Sequence, residues 1–174
     1  MADDKKEAWL NYLALTTVVF AVCATLATFK GGGYSTQSIM SQSKASDNWA
    51  FFQAKNIKED LYKLQSEKLE MDKIGKDQKT VDLYQNKIND YKAKIDKYEK
   101  EKIKIKSEAE VLENTRDQAQ LHSKNFGISV IFLQITILLS TIAGLLKKKY
   151  VWYIGISSGL AGIAYFINGF LLLS

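Results

Sequence analysis

The sequence of 174 residues contains no proline, one cysteine and one histidine. Without proline, long helices are not interrupted by that route. A single cysteine excludes a disulfide within the chain. Cys23 lies in an apolar run and is interpreted as a small buried hydrophobe, because the segment before it lacks the small residue that lipid attachment requires. His122 has no cysteine or carboxylate cluster with it, and Gly31–Gly33 lacks the lysine of a phosphate loop. No catalytic, cofactor or metal site is therefore predicted.

Charged residues and histidine are missing from three long runs, at residues 9–29, 126–146 and 150–173. A helix needs about 20 apolar residues to cross the hydrocarbon core of a bilayer. The sequence therefore predicts three transmembrane helices, the first of which extends to Lys30, after a tail of residues 1–8. A signal peptide is the other interpretation of the first run. The tail is not net positive, however, and the run is too long for that role, so an uncleaved anchor is expected.

Almost all of the charge lies in residues 31–124, where apolar residues recur at heptad spacing. This spacing is typical of a helix that packs lengthwise on another helix. One seam contains Val81, Tyr84, Ile88, Tyr91, Ile95, Tyr98, Lys102, Ile105, Ala109 and Leu112. The other contains Ala50, Ala54, Ile57, Leu61, Leu64, Lys68 and Met71. A turn near residues 75–77 brings the two seams together as an antiparallel coiled-coil hairpin. The predicted fold class is thus an all-α membrane protein, with this hairpin inserted between the first and second transmembrane helices.

The expected register of the hairpin places Leu64 opposite Ile88 and Ile57 opposite Ile95. The alternative is that the two helices pair with other chains. The lysine in each seam is expected to extend its ammonium group outward, so Lys102→Leu is predicted to stabilise the hairpin slightly.

Three segments decide how the helices connect. Gly31–Gly33 predicts a break and a hinge, and Ser35–Ser38 offers an N-cap for the helix that follows. No proline interrupts Thr80–Leu146, so one continuous helix is expected there, and a break near His122–Asn125 is the competing interpretation. Lys147–Lys149 leaves room only for a short turn, so the last two membrane helices are expected to be antiparallel neighbours.

Several apolar side chains in the membrane-proximal half of the predicted hairpin lie outside the seams: Trp49, Phe51, Phe52, Ile103 and Val111. Aromatic rings that a single chain leaves exposed are usually buried against a neighbouring subunit. These residues are therefore predicted to form an oligomer interface. The alternative is that the rings pack on their own hairpin or rest near the lipid.

Two further sets lie within the membrane runs. Gly155 and Gly159 are four residues apart, a spacing that lets membrane helices approach closely, and both are added to the predicted interface. Gln134 and Asn168 are the strongest intramembrane polar groups. An amide in lipid usually bonds to another helix, and lining a pore is the alternative.

The stretch Trp49-Ala50-Phe51-Phe52-Gln53-Ala54-Lys55-Asn56-Ile57-Lys58 resembles the signature of an uncharacterised bacterial membrane-protein family, a domain of unknown function. The signature reads approximately W-A-aromatic-aromatic-Q-A-K-x-I-K. The order of an anchor helix, a charged helical middle and paired C-terminal helices also resembles that family. The resemblance implies a prokaryotic membrane protein and no particular activity.

Charge patterning bears on the partners. Residues 31–124 hold 18 Lys and Arg against 16 Asp and Glu without a one-sided basic face, so nucleic-acid binding is not expected.

The sequence predicts a non-enzymatic scaffold in the lipid bilayer that forms a homo-oligomer. A small channel or transport subunit, lined by Gln134, Ser140 or Asn168, is the first alternative. An accessory subunit of a larger complex, with an unknown foreign protein as partner, is the second.

Lysines near the membrane runs predict an orientation. Lys147–Lys149 with Lys5 and Lys6 outnumber Lys30 and Lys124 at the opposite ends. By the positive-inside rule the N terminus then lies inside the bacterial cytoplasmic membrane and the hairpin outside it.

Overall fold

The computed structural model describes the backbone of residues 2–172 and the side chains of residues 8–172. Within these residues the chain forms three helices, α1 over Ala2–Asp72, α2 over Gln78–Leu146 and α3 over Lys149–Leu171. The side chains of the predicted tail up to Glu7, which include Lys5 and Lys6, and the predicted end of the last run at Leu173 lie outside the described residues. The chain is therefore all-α in its described part, as the sequence predicts.

The helices pack as two hairpins, α1 with α2 and α2 with α3. The first turn follows Asp72, and Gly75 adopts φ +78° there, a conformation that glycine tolerates best. Asp77 then caps α2, because its carboxylate accepts hydrogen bonds from the backbone N–H and the hydroxyl of Thr80. The second turn passes through Lys147, also at positive φ, and Lys148 donates its backbone N–H to Ala143 O. Both predicted turns are confirmed.

All three helices contain a stretch that is long and apolar enough to cross a membrane. This suggests a membrane protein. The chain divides into two units: a bundle of Met1–Ile39 with Arg116–Ser174, and a hairpin unit of Met40–Thr115.

In the hairpin unit, α2 presents the predicted seam to α1. The seam residues from Val81 to Leu112 are buried or half-buried at every heptad position, and Ile88 and Ala109 are fully buried. The predicted seam of α1 is wrong. Ile57 is 68% exposed and Leu64 is 64% exposed. The residues that face α2 are instead Ser41, Ala45, Asn48, Phe52, Lys55, Glu59, Tyr62, Ser66, Leu69 and Lys73.

The register is wrong for the same reason. Lys55 pairs with Glu101, whereas the predicted register places Lys55 opposite Lys97, about one helical turn away. The observed seam of α1 is displaced by two residues from the predicted one, which is about 200° around an α-helix. The more apolar stripe of α1 thus faces away from α2. A polar seam faces α2 because its charges and aromatic rings find partners there.

The predicted hinge at Gly31–Gly33 is also wrong, as is the N-cap at Ser35–Ser38, because α1 continues through both segments. Gly31 is buried, and a Cβ built on it would lie 3.0 Å from Phe126 Cβ. Ser123 Oγ donates a hydrogen bond to Gly31 O at 3.1 Å. The glycine therefore allows α2 to approach α1 closely, and this packing overrides the low helix propensity of the run. The continuous α2 predicted through His122–Asn125 is confirmed.

The bundle brings the apolar parts of the three helices together. Phe20 and Ala24 of α1 form its core with Leu133 of α2, and Cys23 packs against this core. Gly162 of α3 lies against Leu133, and Ser129 Oγ donates to Gly162 O at 2.8 Å. The contact between α2 and α3 is close because glycine presents no side chain.

Candidate functional site

The segment Trp49–Lys58 of α1 lies in the hairpin unit, and two of its aromatic residues, Trp49 and Phe52, face α2. Trp49 Nε1 donates to Glu113 Oε1 at 2.9 Å. The rings of Trp49 and Phe52 meet edge to face with centroids 5.6 Å apart, and Lys102 Nζ lies 5.7 Å from the Phe52 centroid. Both rings are half-buried. Of the two interpretations given for these rings, the structure places Trp49 and Phe52 against their own hairpin.

About two turns beyond Phe52 along α1, Glu59 is the centre of a buried charge network. Its side chain is only 5% exposed. Lys102 Nζ lies 2.5 Å from Glu59 Oε2, and Lys63 Nζ lies 2.6 Å from Oε1. Lys102 Nζ also donates to Asn56 Oδ1 at 2.8 Å. The ammonium groups of Lys102 and then Lys63 lower the pKa of the Glu59 carboxyl, so it is held as a carboxylate.

The predicted behaviour of Lys102 is therefore wrong. Its side chain is 15% exposed and points at two acceptors rather than outward. Beside it, Lys55 Nζ lies 2.6 Å from Glu101 Oε2 and lowers the pKa of that carboxyl. These cross-helix pairs favour one register over others, because sliding α2 by one turn would leave a carboxylate in the seam without its cation.

Aromatic rings continue the contact towards the turn. Tyr62 stacks on Tyr98 with centroids 5.9 Å apart, and its centroid lies 5.4 Å from that of Tyr91. Lys94 Nζ lies 4.9 Å from the Tyr62 centroid, and Lys55 Nζ lies 5.2 Å from that of Tyr98. These contacts give the seam packing and cation–π attraction. Among the described residues, no three His, Cys, Asp or Glu side chains are placed to hold a metal ion.

Three of the residues predicted for an oligomer interface are exposed in the single chain: Phe51 at 60%, Ile103 at 67% and Val111 at 62%. The two predicted glycines are not on the surface. A Cβ on Gly155 would lie 3.2 Å from Leu139 Cβ, and one on Gly159 would lie 2.5 Å from the Phe20 ring. The glycine spacing thus serves contacts within the bundle of one chain.

The apolar seam predicted for α1 does not pack against α2 and instead forms an exposed surface on the outer side of the hairpin unit. We define the outer stripe as Ala50, Ala54, Ile57, Leu61, Leu64, Lys68 and Met71, all of which are exposed. Its large members are 54% to 68% exposed. The signal that could have separated the two faces was the charge of Lys102, which needs a carboxylate opposite it in the seam.

The polar residues predicted to lie within the membrane are on different faces of the bundle. Gln134 is exposed, Asn168 is half-buried and Ser140 is buried. Asn168 O accepts the backbone N–H of Leu172 at 2.9 Å, and Ser140 lies beside Gly155 of α3. The three residues of the channel interpretation do not share one surface of a single chain.

Comparison with known protein families identifies the family of this chain. Residues 9–172 match the family described as Domain of unknown function (DUF4337). The chain belongs to this family. No curated protein and no solved structure matches. Membership in DUF4337 covers both units and assigns no activity, so the function must be argued from the surfaces described above.

Proposed function

We propose that this chain is a non-enzymatic membrane scaffold that three transmembrane helices anchor in the bilayer. It assembles with identical copies through its antiparallel coiled-coil hairpin. One observation carries the proposal: the outer stripe of α1 has heptad spacing and apolar character, and no part of the described chain covers it. The stripe replaces the patch centred on Trp49 and Phe52 as the expected contact.

The outer stripe favours a particular kind of partner. Fully burying a Leu or Ile side chain contributes about 1.5–3 kcal/mol, so several of them on one face favour association. A heptad repeat stays on one side of a helix only relative to another long helix that winds around it. Ile57 and Leu64 lie one heptad apart, with Leu61 between them. The partner is therefore a long helix with the same repeat, and α1 of a second copy is such a helix.

Charge next to the stripe fits a parallel arrangement of two copies. Copies inserted in one membrane with one orientation present their α1 helices in parallel. In a parallel pair, a side chain at the Lys68 position packs beside the residue that precedes the equivalent position on the partner helix. That residue is Glu67, so Lys68 of each copy lies beside the carboxylate of the other. Confinement in the membrane raises the local concentration and favours such a contact.

The test is the double variant Ile57→Ser/Leu64→Ser, made in the full chain. Because both side chains are exposed in the single chain, we expect helical content by circular dichroism to stay unchanged. The oligomer mass in native mass spectrometry should fall. Leu83→Ser is the matched control, since Leu83 is 67% exposed on α2 and lies outside the stripe.

Retention of the full oligomer by the double variant would contradict assembly through the outer stripe. Reproducible unitary currents from the purified protein in planar bilayers would contradict a scaffold and favour a channel. A foreign chain recovered in fixed proportion after mild detergent extraction would favour an accessory subunit of a larger complex.

The same proposal includes an orientation. The lysines at Lys147–Lys149 support a cytoplasmic location for the turn between α2 and α3. The N terminus is then inside the bacterial cytoplasmic membrane, and the hairpin and the C terminus are outside.

A further inference from the structure

The membrane part of α2 carries a second heptad pattern on its outer side. Every residue of this pattern is exposed: Gly127, Ile131, Gln134, Leu138, Thr141 and Leu145. We name these six residues the Gln134 face. Its apolar members Ile131, Leu138 and Leu145 are 58%, 63% and 79% exposed. At 1.5 Å per residue the face is about 27 Å long, close to the thickness of the hydrocarbon core.

Gln134 is the one strongly polar side chain on this face. Within the described residues its carboxamide makes no hydrogen bond, whereas the Thr141 hydroxyl bonds back to Ile137 O at 2.9 Å. Gln134 is eight residues from Phe126 and twelve from Leu146, the two ends of the uncharged run. An amide at that depth would meet hydrocarbon, where water cannot satisfy it. The side chain therefore requires a partner from outside the chain.

We infer that the Gln134 face binds the Gln134 face of a second copy of this chain within the membrane. A carboxamide both donates and accepts hydrogen bonds, so two symmetry-related Gln134 side chains satisfy each other. Two copies inserted with one orientation also place their amides at the same depth, whereas an unrelated helix would need a polar group matched to that depth. The open space beside Gly127, with nothing within 4 Å of a Cβ built there, allows the helices to approach.

This inference rests on the proposed function, because it requires spans in a membrane and identical copies. The two proposed contacts lie in different parts of the chain. The outer stripe lies in the hairpin unit and the Gln134 face in the bundle, so each contact has its own variants.

The first measurement is cysteine crosslinking in membranes, with Cys23→Ala as background. Q134C and L138C should each give a disulfide-linked dimer upon mild oxidation. The matched controls are L160C on α3 and V19C on α1, whose native side chains are 61% and 50% exposed outside this face. Both controls should remain monomeric on a denaturing gel. Crosslinking of the controls without crosslinking of Q134C and L138C would overturn the inference.

The second measurement is the association equilibrium of the full chain in lipid vesicles, followed by energy transfer between labelled copies as the protein is diluted in lipid. Gln134→Leu should weaken association about tenfold, the size expected for an amide contact in lipid. Gln134→Asn, which keeps the donor and the acceptor, should recover part of the loss. Ser157→Leu is the polar-to-apolar control on α3 and should cause no shift, because Ser157 Oγ bonds to Ile154 O of its own helix.

The outcomes separate the two ideas. If Gln134→Leu associates as the parent does while Ile57→Ser/Leu64→Ser dissociates, the intramembrane contact is refuted and the scaffold through the hairpin stands. If Gln134→Leu weakens association and the hairpin variant does not, the intramembrane contact stands and the hairpin contact is refuted. A parent chain that is monomeric in vesicles at all dilutions refutes both.

Discussion

Lys102 shows how one charged side chain decides the orientation of a helix. It occupies a seam position on α2, where it contacts Glu59 and Asn56 of α1. The most apolar stripe of α1 therefore does not face α2. A buried ion pair of this kind adds little net stability compared with a well-packed apolar pair, but breaking it is costly. Its value is that it distinguishes the observed register from its neighbours.

We therefore expect Lys102→Leu to destabilise the hairpin by about 2 kcal/mol, because Glu59 stays buried with only Lys63 beside it. Thermal or urea unfolding followed by circular dichroism measures this. Lys100→Leu is the control, since Lys100 is exposed and pairs only with Asp96 one turn away, and it should leave unfolding nearly unchanged. The double variant Glu59→Leu/Lys102→Leu should recover much of the loss. An unchanged midpoint for Lys102→Leu would show that the pair contributes nothing to the fold.

The lowered pKa of Glu59 makes the hairpin sensitive to acid. Its ordinary value is 4.5, and the folded chain holds the carboxyl below that value. The contribution of the carboxylate is fully present above pH 4.5 and is lost as the pH falls through the lowered pKa. The melting temperature of the parent should exceed that of Glu59→Gln at pH 7, and the gap should narrow as the pH falls below 4.5. A gap of the same size at pH 3 would mean that the charge of Glu59 is not responsible.

At the scale of elements, glycine decides how close the helices lie. A Cβ on Gly162 would lie 2.9 Å from Leu133 Cγ and 3.2 Å from the backbone N of Leu133, so α3 would have to move away from α2. A Cβ on Gly33 would meet nothing within 4 Å.

Gly162→Ala should therefore lower the thermal stability of the bundle by several degrees, an effect of about 1–3 kcal/mol for an overpacked contact. Gly33→Ala is the matched control and should stabilise α1 by about 0.5–1 kcal/mol, because alanine is the better helix former. Differential scanning calorimetry of the full chain in detergent measures both. A loss of stability in Gly33→Ala would indicate that the run bends in solution, as a hinge would.

At the scale of the whole molecule, the testable property is orientation. The proposed arrangement places the C terminus outside the cytoplasmic membrane, so an epitope tag fused there should react with antibody in intact cells. A tag at the N terminus should react only after permeabilisation. Replacing Lys147–Lys149 with glutamine should weaken this preference and give a mixed population. Protection of the C-terminal tag in intact cells would reverse the orientation.

Much of the secondary structure was determined by the sequence alone. Three uncharged runs, the absence of proline, Gly75 and the lysine turn were enough to predict an all-α chain, the continuous α2 and both turns. The heptad seam of α2 was also readable, because its tyrosines and isoleucines have one consistent period from Val81 to Leu112. Local pattern suffices where a helix has a single face that can pack.

The tertiary structure decided which face of α1 meets α2 and whether Gly31–Gly33 breaks the helix. α1 carries two heptad patterns about 200° apart, and periodicity cannot rank them. The polar pattern packs against α2 because Glu59 pairs with Lys102 and Lys55 pairs with Glu101. Each pair needs one residue from each helix, so the sequence of α1 alone does not reveal it. In the same way, Gly31 is helical because Phe126 packs against it across the bundle. Propensity and period are properties of one segment, whereas register and close approach belong to a pair of segments, so only the packed structure could supply them.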